Sequence, residues 1–555
     1  MILSRPAIAA VVVALTSPTA AAAQTPRSAW PAVDSIFARY TGPGSPGCAL
    51  GIASHDTVVY AHGYGRAVIE WGVPIDPGTV FELASMSKQF TAFTILTLER
   101  DGKLSLDDDV RRWIPELPRY GKPITLSHLL HHTSGIRDYD PLLVYRGTRY
   151  HDVATNGDVL DMLSRQKGLN FPTGTRWQYS NSNYVLLAIV AERVTGQAFR
   201  GVLRQRIFEP LGMTNSRLRV DHTEVIPHRA KAYERATDST YSVDDSNWEE
   251  TGDGTIQSTV EDLAKWADNY RTGMAGGRQI VEKMVQVGHL DDGTPLTYAF
   301  GLIVDRWRGV NRVSHSGSWA GFRTHLVHFP ESSLNVITLC NYGSADASGL
   351  ALAVAARVLG DRLAPVPAPE TAGRRGTALG DLAGIYWSDE EARSLRFLVK
   401  DAKLMANAGG DATFPLVEVG AGQFTTAGGE WRLTFGGTGN RRTLSIHAGG
   451  GATEYRQVPP ADTSVAALRR LVGRFRSEEL KGAVWTIAIK DRGLTVQSAA
   501  AVQASPLTPQ AADAWSGIMF DDPVTIRFVR GPGGAVTGFT ANGFALLGLG
   551  FVRER

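Results

Sequence analysis

The sequence predicts an α+β domain, an antiparallel sheet flanked by helices, followed by two all-β, barrel-like units. Three observations carry this. Strand-like runs bracket a helical middle between about residues 48 and 340. A Pro-rich break follows at 363–370. Beyond it, helical periodicity gives way to short apolar runs separated by Gly-rich turns. The length, 555 residues, is that of three or four ordinary domains rather than one core.

In chain order, residues 1–23 read as a cleavable export signal. Arg5 supplies the positive region, Ala7 to Leu15 the apolar one, and Ala21-Ala22-Ala23 the small-residue cleavage site. Ser17 and Pro18 close the apolar run too early for a membrane span, which needs about 20 residues. The expected product is secreted or periplasmic, with no span after cleavage. Alternating strands follow at Cys48 to Ala53 and Val58 to Tyr64, then a helix from Ser85 to Arg100 that stops at Gly102. Further helical patterns lie at Leu126 to His132, Gly157 to Arg165, Tyr184 to Val194 and Val260 to Tyr270. Strands return at Val310 to Ser314, Thr324 to His328 and Asn335 to Leu339. Strands at both ends imply that the termini of this domain, residues 24–362, meet in one sheet.

The stretch 363–375 is a stiff Pro-rich linker, and 376–460 and 465–555 are the two β units. They look like a duplication. Asp381-Leu-Ala-Gly-Ile-Tyr386 recurs as Arg470-Leu-Val-Gly-Arg-Phe475. Val399-Lys-Asp-Ala-Lys-Leu404 recurs as Ile489-Lys-Asp-Arg-Gly-Leu494, and Pro415-Leu416 as Pro506-Leu507, with offsets drifting from 89 to 91 residues. Each unit has room for about eight strands.

Composition excludes some functions. Lys and Arg number 57 against 55 Asp and Glu, a net charge of +2, with no basic run to hold nucleic acid. Two cysteines cannot build a disulfide scaffold; Cys48 and Cys340 are expected as two buried thiols, although their strand-like settings allow pairing. His128, His131 and His132 lack the Glu of a zinc-binding H-E-x-x-H and read as packing residues. Asp107-Asp108-Asp109 reads as the favoured start of a helix at Val110, not a metal site. No serine has glycine at both i−2 and i+2, which excludes the nucleophile elbow of an α/β-hydrolase. No metal or organic cofactor is expected.

Ser85-Met86-Ser87-Lys88 stands where a loop enters a helix. Positions i and i+3 share a helix face, so the amine can reach the hydroxyl, and a serine needs such a base beside it to attack. The helix start supplies free N–H groups for an oxyanion. Tyr179-Ser180-Asn181 sits in a polar loop before a helix, and His315-Ser316-Gly317 ends a strand, with Gly317 expected to let a substrate backbone approach. With these three motifs in order, the chain resembles the penicillin-recognising serine hydrolases, the class C β-lactamase, DD-peptidase and D-aminopeptidase group, over roughly residues 30 to 360.

The resemblance implies the β-lactamase/transpeptidase-like fold, acylation of Ser85, and proton transfer by Lys88 and Tyr179, with the principal base left open. It implies that Asn181 holds the substrate amide and that the backbone N–H groups of Ser85 and Ser318 form the oxyanion hole. His315 replaces the Lys that usually meets a substrate carboxylate. Weaker carboxylate recognition, dependent on pH between about 5 and 8, is therefore expected. This favours amide or ester substrates, including D-amino-acid amides and short D-peptides. The two β units resemble the D-aminopeptidase layout, and their position predicts that one of them shapes the mouth of the site. A β-lactamase, a DD-carboxypeptidase, an esterase, or a non-catalytic cell-wall binding or sensor protein are the alternatives. The sequence does not assign the oligomeric state.

Overall fold

The computed structural model describes residues 30–42, 44–55, 57–237, 240–365, 378–407, 413–426, 432–448, 451–501, 503–519 and 522–555. The expected export signal and all of the linker beyond Pro365 lie outside the described residues.

The α+β unit is built on a six-stranded antiparallel sheet. Its strands are β1 (Cys48–Ser54), β2 (Thr57–Tyr64), β3 (Ile303–Trp307), β4 (Val310–Trp319), β5 (Phe322–Phe329) and β6 (Leu334–Cys340), in the order β3-β4-β5-β6-β1-β2. The pairing of β1 with β6 joins the two ends of the unit. The alternation of β1 sorts its side chains: Ala49 and Ala53 face one core, while Cys48, Leu50 and Ile52 face another. The small residues lie on the side where helix α5 (Val260–Thr272) packs. A Cβ placed on Gly51 would stand 3.0 Å from that of Val260. The opposite face is covered by α6 (Ala347–Leu359), a helix absent from the sequence reading, as is β3. Asp346 caps α6 by accepting from the Gly349 N–H.

The expected strands and helices are present with small shifts at their ends. The exception matters for the site. The helix expected from Ser85 is a 3₁₀ turn over Ala84–Ser87, and only then α1 (Lys88–Arg100). The other helices that frame the site are α2 (Leu126–Leu130), α3 (Tyr139–Arg146) and α4 (Asn181–Thr195). Asp109 caps a 3₁₀ turn at Val110–Arg112, the one-turn form of the helix start expected there.

The two cysteines overturn the expectation of separate thiols. Cys48 and Cys340 lie directly opposite across β1 and β6, with Cα atoms 4.0 Å apart, and form a disulfide spanning 292 residues. Only the register between strands so distant in sequence decides this.

The tail forms two barrel-like β units, as expected. The first unit is a nine-stranded, nearly closed sheet between Gly384 and Val458; the second is a closed eight-stranded barrel from Gly473 to Arg553. Each opens with a short helix before its first strand, Leu379–Leu382 and Val465–Leu471. The matched second hairpins turn at Asp401-Ala402 and Asp491-Arg492, all four with positive φ, the geometry of a tight two-residue turn that follows the strand twist. Leu416 bonds Leu404 as Leu507 pairs with Leu494. In the first unit the strand carrying Leu416 is split into Phe414–Pro415 and Val417–Gly420, giving nine strands instead of eight.

The closed barrel is seated on the α+β unit. Trp485, Phe539 and Phe551 belong to the same buried apolar cluster as Leu142 and Tyr145, and the Trp485 indole donates to the Tyr145 carbonyl at 3.1 Å. Arg137 and Glu479, both nearly buried, pair across the boundary at 2.7 Å. The first unit has its own core around Tyr386, Phe397 and Phe424.

Candidate active site

The 3₁₀ turn places Ser85 and Lys88 on one line, because side chains three apart eclipse in that helix. The Lys88 ammonium lies 3.1 Å from Ser85 Oγ. Ala84, just before, is held at φ +49°, a conformation costly for a residue with a Cβ. Strand β4 fixes this turn. A Cβ on Gly317 would stand 2.1 Å from the Leu83 carbonyl oxygen and 3.1 Å from the Ala84 Cβ. Gly317 is therefore required by the approach of the chain's own turn. Ser318, the next residue, is exposed on the same strand.

Lys88 is fully buried and donates three bonds: to Ser85 Oγ, to Asn181 Oδ1 at 2.8 Å and to the Asp253 carbonyl at 3.0 Å. An ammonium only donates, so the Asn181 carbonyl oxygen faces it and the amide NH₂ is turned elsewhere. The Asn181 N–H donates to the Asp138 carboxylate at 2.5 Å. Burial raises that carboxyl to about 7, against the N–H donors of Asn181 and Asp140. Tyr179 presents its ring to Lys88, with the nitrogen 4.9 Å from the ring centre. Its hydroxyl oxygen is buried and has no hydrogen-bond partner among the described residues. Ser85, Lys88 and Asn181 are thus directly joined, while Tyr179 adjoins them through its ring.

His315 is buried on β4. Its Nδ1 donates to the Ser316 carbonyl at 2.6 Å, which leaves Nε2 to accept from the Tyr298 hydroxyl at 3.2 Å. Burial and the nearby Lys88 charge push it down to about 4. The expected switch between pH 5 and 8 is corrected accordingly: the imidazole is neutral across that range. The histidines near 130 are packing residues, as expected, but one packs on the site. His128 closes the Thr125 capping box and His131 bonds the Ser127 carbonyl. His132, fully buried, accepts from the Ser180 N–H at 3.2 Å and the Asn183 amide at 3.1 Å, with its ring 4.4 Å from that of Tyr179. None of the three belongs to the cluster Asp221, His222 and Glu249, the one group of possible metal ligands among the described residues.

Tyr298, Asp138, Asp253 and the Glu250–Tyr139 pair behind Asp253 escaped the sequence reading, since nothing local marks them. The barrel also reaches the site. The turn 543–548 places the Ala545 carbonyl on the Asp138 N–H at 2.8 Å and the Asn170 amide at 2.7 Å, while the Leu547 N–H donates to Asn170 Oδ1 at 2.8 Å.

The beta-lactamase family model matches residues 33–360. The chain is 33% identical over 299 residues to penicillin-binding protein 4* of Bacillus subtilis, covering 51% of this chain and 65% of that protein. It is 28% identical over 523 residues to a D-aminopeptidase of Cereibacter sphaeroides, covering 91% of this chain and 95% of that one. Among solved structures, the octameric penicillin-binding protein homologue from Pyrococcus abyssi has a TM-score of 0.54 at 23% identity, over 84% of this chain and 97% of that chain, a likeness of fold. The family match spans the sheet, the Ser85 turn and β4 together, and the chain belongs to the beta-lactamase family of serine hydrolases.

Proposed function

We propose that the protein is an exported serine amidohydrolase that acylates Ser85 and acts on D-amino-acid amides or short D-peptides. One observation carries the chemistry: the buried Lys88 amine is held at once on Ser85 Oγ, Asn181 Oδ1 and the Asp253 carbonyl. Ser85 Oγ attacks the carbonyl carbon while its proton passes to a neutral Lys88 or a Tyr179 phenolate. The oxyanion is received by the N–H groups of Ser85 and Ser318. The Asn181 amide NH₂ donates to the substrate. The Tyr179 hydroxyl, without a protein partner, hands the proton to the leaving amine, and water then releases the acyl group.

Three features support the substrate class. His315 is neutral where a substrate carboxylate would need a cation. The D-aminopeptidase relative aligns through both β units. The turn 543–548 bounds the segments that carry Asp138 and Asn170, which supports the reading that one β unit shapes the mouth. Export is supported by the residue 1–23 pattern and by a disulfide, which persists in oxidising compartments. Among the described residues no helix is long and apolar enough to cross a membrane.

The test is a panel of D- and L-amino-acid amides, D-Ala-D-Ala peptides, p-nitrophenyl esters and nitrocefin, with wild type and Ser85→Ala. D-amino-acid amides should show the highest kcat/KM, and Ser85→Ala should lose at least about 1000-fold. Equal turnover by Ser85→Ala refutes the nucleophile; preference for nitrocefin or for carboxylate-bearing peptides refutes the substrate class.

A further inference from the structure

Behind Lys88 lies a buried acid pair whose hydrogen atoms can be counted. The Tyr139 hydroxyl oxygen is 2.8 Å from Glu250 Oε1 and 3.0 Å from Asp253 Oδ2, and all three side chains are buried. A phenol has one hydrogen. It serves one carboxylate, and the second contact is attractive only if the other carboxyl carries a proton and donates it to the phenol oxygen. The remaining oxygens, Glu250 Oε2 and Asp253 Oδ1, are buried without partners, which disfavours two full charges. Burial raises both acids, and Lys88 opposes the rise at Asp253, whose carbonyl its ammonium touches.

We infer that Glu250 is the protonated member and Asp253 the ionised one, and that Asp253 is a positioning residue whose single charge sets the pH below which Ser85 loses its base. This rests on the reading of Ser85 as nucleophile. The groups facing Lys88 come from every side: Ser85 on its own turn, Asn181, Tyr179 and Tyr184 on α4 and its loop, His132 after α2, His315 on β4, Asp138 at the head of α3, and Asp253. His132 and His315 are neutral above their lowered values, so charge beside Lys88 comes from Asp138 and Asp253. A negative charge there favours keeping the proton on Lys88 and equally on Tyr179. The direction of the effect is therefore the same whichever group serves as base.

The test is the rate at which a fluorophosphonate labels Ser85 in the full chain from pH 5 to 10, for wild type, Asp253→Asn and Glu250→Gln, with Ser85→Ala as the control for specificity. Asp253→Asn should move the acid limb down by about one pH unit. Glu250→Gln, which mimics the protonated acid, should leave the limb where it is, whatever happens to the maximum. The infrared difference spectrum of wild type minus Glu250→Gln at neutral pH should show one protonated-carboxyl band, the contribution of Glu250, beside any that Asp138 gives in both chains. An unmoved limb in Asp253→Asn, an equal shift in Glu250→Gln, or a wild type minus Glu250→Gln difference spectrum without a protonated-carboxyl band overturns the inference. If Asp253→Asn does not fold, the Glu250→Gln limb and its infrared band still decide it. Failure of wild-type Ser85 to label any faster than Ser85→Ala removes the functional reading instead, and the infrared arm still tests the proton on Glu250.

Discussion

At the residue scale, Lys88, Asp138 and His315 are buried titratable groups, and this has a consequence for stability. His315 titrates at about 4 in the folded chain against ~6.5 when exposed. Between those values the unfolded chain binds the extra proton, so this residue's contribution is fully present above pH 6.5 and is lost as pH falls toward 4. Asp138, raised to about 7, acts in the opposite sense: its contribution falls as pH rises from about 4 to 7. His315→Gln isolates the first effect. Denaturation measured at several pH values should show an acid arm flatter by up to about 1.4 kcal/mol per pH unit. Superimposable arms for wild type and variant would show that the imidazole is not held neutral. The sequence displayed Ser85, Lys88, Tyr179, Asn181 and His315 because their spacing is local or their order is a motif. It did not display Glu250, Asp253 or Tyr139, whose roles arise only when a loop 165 residues from Lys88 folds against it.

At the element scale, the strands were legible from alternation and the helices from periodicity, whereas pairings between distant strands were not. Gly317 shows the difference: its type was noticed, but the Leu83 carbonyl that demands it is met only across two elements. The disulfide shows it more clearly, since both cysteines lie in strands that could have been in any register. As built, the bridge ties β1 to β6 and closes a loop of 292 residues in the unfolded chain. In the chain-entropy picture so long a loop stabilises the fold by up to about 5.7 kcal/mol. Adding a thiol reductant, or substituting Cys48→Ser with Cys340→Ser, should lower the unfolding free energy by about 2–5 kcal/mol. An unchanged denaturant midpoint would mean that the strand pair alone holds the ends together.

For the whole molecule, the two β units are not equivalent despite the motifs they share. The first keeps a separate core, whereas the second shares one with the hydrolase. Its Trp485 sits on Tyr145, its Glu479 neutralises Arg137, and its turn at 543–548 holds the Asp138 N–H, whose carboxylate in turn holds the N–H of Asn181. Removing the tail therefore takes away part of the core that the hydrolase shares. A chain ending at Pro365 would expose Tyr145 and strip Arg137 of Glu479 and of the Gly548 carbonyl, both of which the barrel supplies. It would also free the segment that positions Asn181. The expected outcome is a lower melting temperature together with a fall in kcat on every substrate, not a shift of preference among them. A truncated chain that melts like the full protein and differs only in which amide it prefers would reduce the closed barrel to a selectivity device. The hydrolase would then have to hold Asp138 and Asn181 in place unaided.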